Sequence, residues 1–380
     1  MAKKVAVFGS TGSIGTNALD VIFRLPQQLR IWGLSANTNW RLLAEQARRF
    51  GPEYISVTDE PSRAQLARMM PDIASKVLPP EEFRRRACQE ADAALVAVVG
   101  AAGLESSLAL ARSGKRLALA NKESLVMAGG LVMAAARQSG AQVVPVDSEH
   151  SALFQAIQGG RRSEVKRVVI TASGGPFLDR LTGELDTVTV EEALSHPTWS
   201  MGKKVTIDSA TMVNKAFEVI EARWLFDLPA EKIAVVIHPE SIVHSLVEFV
   251  DSSVLAQMGI PDMRLPIQYA LTYPDRFPSN VEALDLTQVG GLSFRQPDME
   301  RFPCLGIGFQ VAREGGTLGA VFNAANEVAV EAFLRKRLAF SDIQRVIRTT
   351  IDKHKNAPAD SIETVMEADR WARMEAAKCL

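Results

Sequence analysis

Cysteine is scarce in this chain: 3 in 380 residues, at positions 88, 304 and 379. Odd in number and without a CxxC spacing, Cys88, Cys304 and Cys379 argue against a disulfide framework or a thiolate zinc site and fit a reducing compartment. Long hydrophobic runs are also missing. No stretch of about eighteen apolar residues occurs, so no membrane-spanning helix is expected. Charge of one sign is not in excess either: 43 basic and 44 acidic residues give a net charge of -1. With no long basic stripe, nucleic acid is not an expected partner. Tyrosine is rare, and none of Tyr54, Tyr269 and Tyr273 has a lysine four residues on. The Tyr-x-x-x-Lys pair of a metal-free short-chain dehydrogenase is therefore absent. A first strand begins at Lys3 with no room before it for a signal or transit peptide, which predicts a cytoplasmic protein. The length suffices for two or three domains.

What is present starts with an apolar run at residues 5–8, then Gly9-Ser10-Thr11-Gly12-Ser13-Ile14-Gly15. A helical pattern follows, with Ile14, Ala18, Val21 and Ile22 on one side. Strand, glycine turn and helix start, in that order, predict a dinucleotide-binding unit. Glycines let the backbone approach a pyrophosphate, and the free amides of the helix start bind its charge. The spacing is G-x-x-G-x-x-G rather than G-x-G-x-x-G, and a plain glycine turn is the competing reading.

A second apolar run, 29–34, ends in Ser35-Ala36-Asn37-Thr38-Asn39 with Arg41 just beyond and no acid at the strand end. An acid there would hold the ribose hydroxyls of NAD and repel a 2'-phosphate; small amides and hydroxyls beside an arginine accept one. NADPH is the expected cofactor, although residues 37–39 can also cap the helix that follows. Strand and helix patterns alternate on to residues 116–119, which predicts a parallel sheet with helices on both faces. Lys122 stands just after that last strand, where ligands of such sheets gather; a surface salt bridge is its ordinary alternative.

The apolar run at 142–146 ends in Asp147-Ser148-Glu149-His150. If 143–146 is a strand, alternation sends Asp147 and Glu149 to the same side. Adjacent carboxylates repel unless a proton or cation sits between them, and oxygen donors without cysteine suit Mg2+ or Mn2+. A polar loop after a strand is the alternative. Ser173-Gly174-Gly175 offers a hydroxyl and amides as an anion nest, or a plain turn. In residues 195–204, Trp199 and Met201 lie outside any periodic pattern. They suggest a lid that excludes water, or a loop packed through Trp199. A helix is expected from Asp208-Ser209 through Phe226, with Asn214, Glu218 and Glu221 in one sector and Lys215 flanking it. That makes Glu218 a third carboxylate for the same metal. His238, Glu240 and His244 lack a zincin spacing and read as structural.

Several blocks taken together resemble one family: GSTGSIG at 9–15, GAAGL at 100–104, LANKESLV at 119–126, PVDSEH at 145–150, SGGPF at 173–177, HPTWSMGKK at 196–204, DSATMVNK at 208–215 and NAANE at 323–327. The family is that of 1-deoxy-D-xylulose 5-phosphate reductoisomerases, and the resemblance covers the whole chain in order. It implies an α/β fold with an N-terminal Rossmann-like parallel sheet, a central α+β catalytic domain and a C-terminal helical bundle. The expected boundaries are 1–146, 147–276 with a flap at 195–204, a linker at 277–303, and 304–380.

The resemblance also implies an activity. A phosphorylated 2-keto sugar is rearranged and reduced with NADPH and Mg2+ or Mn2+, Co2+ being a further candidate, in non-mevalonate isoprenoid synthesis by a homodimer. Asp147, Glu149 and Glu218 would hold the metal. Ser148, Ser173, His196, Ser209, Asn214 and Lys215 would grip the substrate, and Lys122 would touch it near the nicotinamide. Thr11, Gly12, Ser13 and Ile14 would cradle the pyrophosphate, with Asn37, Thr38 and Asn39 at the adenosine ribose. Asn121, Glu123 and Gly202 would complete the cofactor pocket. One departure stands out: many members carry Gly-Lys-Asn where this chain has Asn37-Thr38-Asn39, which makes Arg41 the candidate phosphate partner. Competing classes are another NAD(P)-dependent dehydrogenase and a non-catalytic nucleotide sensor, which would have no use for three convergent carboxylates.

Overall fold

The computed structural model describes residues 1–199 and 201–380, with Asp72, Ile73 and Thr182 described by backbone only. The chain divides into two compact units. The first comprises residues 1–121, 132–151 and 262–281, the second 122–131, 152–261 and 282–380.

The first unit is built on seven parallel strands: β1 (Lys3–Phe8), β2 (Leu29–Ala36), β3 (Tyr54–Val57), β4 (Val77–Leu78), β5 (Ala93–Val96), β6 (Arg116–Leu119) and β7 (Gln142–Pro145). Their order is β4-β3-β2-β1-β5-β6-β7. The winding reverses between β1 and β5, which pair in register with Phe8 opposite Val96. Ligands of doubly wound sheets bind at such a switch point, beyond the carboxyl ends of the strands. Val5, Ala6, Val7, Leu95 and Val96 are fully buried, as continuous apolar strands covered on both faces must be. The helix Arg264–Thr272 belongs to this unit and packs on the helix Ser13–Arg24. Arg116 donates to the Leu271 carbonyl at 3.0 Å, and Arg264 lies 3.6 Å from Asp20.

The second unit has four strands, β8 (Val165–Ala172), β9 (Ile233–Ile237), β10 (Val243–Phe249) and β11 (Val254–Met258), ordered β11-β10-β8-β9. The pair β8–β9 is parallel and the rest are antiparallel. Helices Val213–Leu225, Cys304–Glu314 and Leu318–Leu334 complete its core. Two glycines allow helices to approach closely here. A Cβ on Gly308 would stand 2.6 Å from Ala216 Cα, and one on Gly319 would stand 1.9 Å from the Val126 carbonyl oxygen.

The grouping differs from the expected boundaries. Residues 122–131 join the second unit, where Gly319 admits Val126, residues 147–151 and 262–281 join the first, and residues 304–380 group with 152–261 in the second. The segment 277–303, expected as a linker, is largely irregular but not wholly detached. Arg295 exchanges two backbone hydrogen bonds of 2.9 Å with Ile237 at the end of β9.

Candidate active site

In the first unit the glycine loop turns tightly against the start of the helix Ser13–Arg24. Gly9 sits at φ +83°, in the left-handed region, and a Cβ there would meet the Ala97 carbonyl oxygen at 2.6 Å. A Cβ on Gly15 would stand 2.2 Å from the Gly9 carbonyl oxygen. Both positions are thus closed to any side chain, and the loop folds back on the helix start. Gly12 is the N-cap of the helix Ser13–Arg24 without a side-chain cap, and Gly12 and Ser13 are exposed. The first amides of this helix lack intrahelical acceptors and carry the positive end of its dipole, an anion site by construction. Sequence reading passed over Gln46. Buried on the next helix, it accepts from Ser10 Oγ at 2.7 Å and donates to the Ser10 carbonyl at 2.9 Å, pinning the loop. A glutamine on the apolar face of that helix was the available signal.

Asn37, Thr38 and Asn39 are exposed just past β2. Asn39 accepts from Leu42 N at 3.3 Å as the cap of the helix Trp40–Phe50, so its side-chain oxygen is engaged in capping. Arg41 lies with its guanidinium 4.5 Å from the Trp40 ring centroid, on the same turn. Asn121 is buried and donates to the carbonyls of Val98 at 2.8 Å and Gly100 at 3.0 Å. It ties the turn after β6 to the turn after β5.

Asp147 and Glu149 come together differently from the expectation. The strand β7 ends at Pro145 and a helix runs from Ser148 to Ala156, so strand alternation does not apply to them. Asp147 Oδ1 accepts from the backbone amides of Glu149 at 3.2 Å and His150 at 3.3 Å, and lies 3.0 Å from His150 Nδ1. It behaves as a helix cap, while Ser148 donates to Glu149 Oε2 at 2.8 Å. The helix start, not the strand end, orients both acids.

In the second unit the helix expected from Asp208 through Phe226 is two helices, Lys203–Ala210 and Val213–Leu225, broken where Met212 takes φ +61°. Ser209 therefore lies near the end of the first helix and not at the start of the second. The second helix carries the expected sector. Glu218 is fully buried and accepts from Asn214 Nδ2 at 2.6 Å and from Lys215 Nζ. Lys122 Nζ lies 3.6 Å from Glu218 Oε1 and donates to Asn214 Oδ1 at 2.5 Å. An isolated buried carboxylate is costly to ionise; here two ammonium groups and an amide meet it.

Ser173 follows β8 on a turn with Gly174 at φ +88° and Gly175 at φ +70°. A Cβ on Gly175 would stand 2.8 Å from the Ser209 carbonyl oxygen, so a glycine brings the Ser173 turn against Ser209. His196 Nδ1 accepts from the amides of Thr198 at 3.1 Å and Trp199 at 3.0 Å. That fixes the proton on Nε2, which donates to Ser173 Oγ at 3.1 Å, and Gly175 N also donates to this oxygen at 3.3 Å. With its oxygen accepting twice, the Ser173 hydroxyl keeps its own proton for a further acceptor. Burial lowers the His196 pKa below 6.5, consistent with the neutral tautomer. Trp199 and Met201 are half-buried and Gly202 is exposed; the Trp199 ring lies 6.4 Å from the His244 ring. Ser200 of the expected flap lies outside the described residues.

His238 is buried with both ring nitrogens engaged. Nδ1 lies 2.9 Å from the Ser293 carbonyl, and Nε2 accepts from Ile242 N at 3.2 Å and Val243 N at 3.1 Å. Its role is structural.

Family models match three stretches of the chain. That of 1-deoxy-D-xylulose 5-phosphate reductoisomerase matches residues 5–129, that of its C-terminal domain residues 143–226, and that of the DXP reductoisomerase C-terminal domain residues 258–375. The 1-deoxy-D-xylulose 5-phosphate reductoisomerase of Chlorobium phaeobacteroides is 48% identical over 373 residues, covering 98% of this chain and 97% of its own. That of Pelotomaculum thermopropionicum is 50% identical over 377 residues, with coverage of 98% and 97%. Among solved structures, the Zymomonas mobilis enzyme in complex with NADPH superposes with a TM-score of 0.92 at 42% identity, covering 100% of this chain and 99% of that one. A DOX-P reductoisomerase in complex with NADPH, fosmidomycin and magnesium gives a TM-score of 0.94 at 42% identity, with coverage of 99% and 98%. The glycine loop, the acids of 147–149 and the Glu218 helix thus lie in a chain that belongs to the 1-deoxy-D-xylulose 5-phosphate reductoisomerase family.

Proposed function

We propose that the chain rearranges and reduces 1-deoxy-D-xylulose 5-phosphate to 2-C-methyl-D-erythritol 4-phosphate, using NADPH and a divalent metal, in isoprenoid precursor synthesis. The observation that carries this reading is the buried cluster of Lys122, Asn214 and Lys215 on Glu218 in a chain of this family. Asp147, Glu149 and Glu218 hold the metal. The donor set is three carboxylates with no sulfur, the hard oxygen chemistry that Mg2+ and Mn2+ take. When bound, the ion supplies Lewis acidity at the substrate ketone. The carbon skeleton cleaves and rejoins by retroaldol and aldol steps, and the resulting aldehyde is reduced.

The chain's own groups position and stabilise. Ser173, Ser209 and Asn214 bind the phosphate, with the Ser173 hydroxyl as one donor and His196 and Lys215 supporting them. Ser148 orients the sugar beside Glu149. Lys122, fixed through Asn214, neutralises charge that develops on substrate oxygen. Trp199 and Met201 keep water out. NADPH lies with its pyrophosphate on Thr11, Gly12, Ser13 and Ile14 and its adenosine ribose at Asn37, Thr38 and Asn39, with Arg41 on the 2'-phosphate. Asn121, Glu123 and Gly202 close the cofactor site. The nucleotide-binding part follows 1–146, and the metal and substrate part 147–276.

Purified protein is expected to oxidise NADPH only when both 1-deoxy-D-xylulose 5-phosphate and Mg2+ are present, and EDTA is expected to stop it. A nucleotide sensor would instead bind NADPH regardless of metal and turn nothing over. No turnover with Mg2+ or Mn2+ from folded protein contradicts the reading.

The protein acts as a cytoplasmic homodimer. Among the described residues no helix is long and apolar enough to cross a membrane. Strand β11 forms one edge of the second sheet and leaves Val254 51% and Leu255 41% exposed. Such an edge is a pairing surface unless covered, and a second copy covers it under two-fold symmetry. Sedimentation equilibrium at micromolar concentration is expected to return twice the 41.4 kDa chain mass. A single-chain mass under those conditions rules the homodimer out.

A further inference from the structure

Lys204 meets three residues whose chain neighbours are proposed substrate or metal residues, yet it has no place in the reaction described above. Its ammonium lies 2.7 Å from Asp208 Oδ2 and 3.1 Å from Glu123 Oε1, and 4.8 Å from the Phe217 ring centroid. Asp208 Oδ1 in turn accepts from Asn326 Nδ2 at 2.8 Å, on the helix Leu318–Leu334. Glu123 is 3% exposed, and Asp208 and Asn326 are fully buried. Each partner of Lys204 stands one residue from a proposed contact: Glu123 beside Lys122, Asp208 beside Ser209, Phe217 beside Glu218. A single cation therefore holds these three segments, and through Asp208 the C-terminal helix, to one point. The carboxylates oppose burial. At Glu123 the Lys204 charge holds the pKa below the ordinary carboxylate value despite burial, at Asp208 burial outweighs it and raises the pKa, and the Lys204 pKa is itself raised.

We infer that Lys204 is a positioning residue, a half-buried cationic hub on two buried carboxylates that keeps Lys122, Ser209 and Glu218 in the mutual geometry the sugar phosphate needs. The inference rests on the proposed function. It differs from a surface salt bridge, which contributes and orders little, because breaking a buried pair from one side leaves uncompensated charge. Misplacement of preorganised groups costs both affinity and rate.

The test compares Lys204→Met, Lys204→Arg and wild type in steady-state kinetics with NADPH, Mg2+ and the sugar phosphate. Lys204→Met is expected to raise KM for the sugar phosphate about tenfold or more and to lower kcat with it. Lys204→Arg is expected to restore KM to within about threefold of wild type. Amide exchange in peptides spanning 119–126 and 205–212 is expected to quicken in Lys204→Met alone. Equal KM in Lys204→Met and wild type overturns the inference, as does a loss confined to kcat or to melting temperature that arginine does not rescue. Should Lys204→Met not fold, Asn326→Leu leaves the ion pairs intact and removes one tether on Asp208. It is expected to raise the same KM by about threefold, and an unchanged KM overturns the inference. Wild type that turns nothing over marks a failure of the proposed function instead; the hub is then judged by the exchange rates alone, and unchanged rates in Lys204→Met overturn it.

Discussion

Glu218→Gln is expected to lower kcat/KM for the sugar phosphate by about a thousandfold or more, a loss of about 4 kcal/mol in transition-state stabilisation. The substitution is nearly isosteric and removes only charge. In the folded protein Glu218 is 0% exposed and is met by Lys215, Lys122 and Asn214. Glutamine keeps an oxygen for Asn214 Nδ2 but offers a divalent ion no negative charge, and it leaves two ammonium groups facing a neutral amide. Removing one partner from a buried pair costs about 3–5 kcal/mol of stability when nothing replaces it; the amide dipole reduces that cost here. The variant should therefore remain folded with a lowered melting temperature and an NADPH affinity near wild type. Retention of more than about a tenth of wild-type kcat/KM, a loss below about 1.4 kcal/mol, would mean that Glu218 is not a metal ligand.

Gly15→Ala is expected to weaken NADPH binding by at least about tenfold, or about 1.4 kcal/mol. The obstacle is steric and local. The added Cβ would lie 2.2 Å from the Gly9 carbonyl oxygen and 2.5 Å from Ser10 Cα. Both are backbone atoms, so no side-chain rotation relieves the clash. Ser10 cannot drift, because it is held by Gln46 and its amide donates to the Ser35 carbonyl at 2.8 Å. The loop must open at the point where the pyrophosphate approaches. Fluorescence titration with NADPH reads the effect directly, and an unchanged Kd would show that the pyrophosphate does not rest on this turn.

Much of this architecture was legible because it is local. Strand, glycine turn and helix start lie within residues 3–24, and the apolar runs of β1 and β5 carry their own burial. The sector of Asn214, Glu218 and Glu221, with Lys215 flanking it, follows from helical period alone. The misreadings arose where tertiary contacts override period. Residues 147–150 look like a strand end because Asp147 and Glu149 alternate, but Asp147 accepts the amides that start a helix. The break at Met212 has no sequence marker, since a methionine at φ +61° is sterically unfavourable and carries no glycine signature. The Lys204 hub could not be read at all. Its members Glu123, Asp208 and Asn326 lie far apart in the chain, and NAANE at 323–327 lies in a helix otherwise typical of a buried core.

The central claim is that one site both rearranges and reduces its substrate. The measurement that tests it most directly is identification of the product by 13C and 31P NMR after complete turnover with Mg2+ and NADPH. The account predicts the branched 2-C-methyl-D-erythritol 4-phosphate, formed mole for mole with NADPH consumed. A straight-chain deoxypentitol phosphate, the substrate ketone reduced without rearrangement, would contradict it and leave a simple sugar-phosphate dehydrogenase.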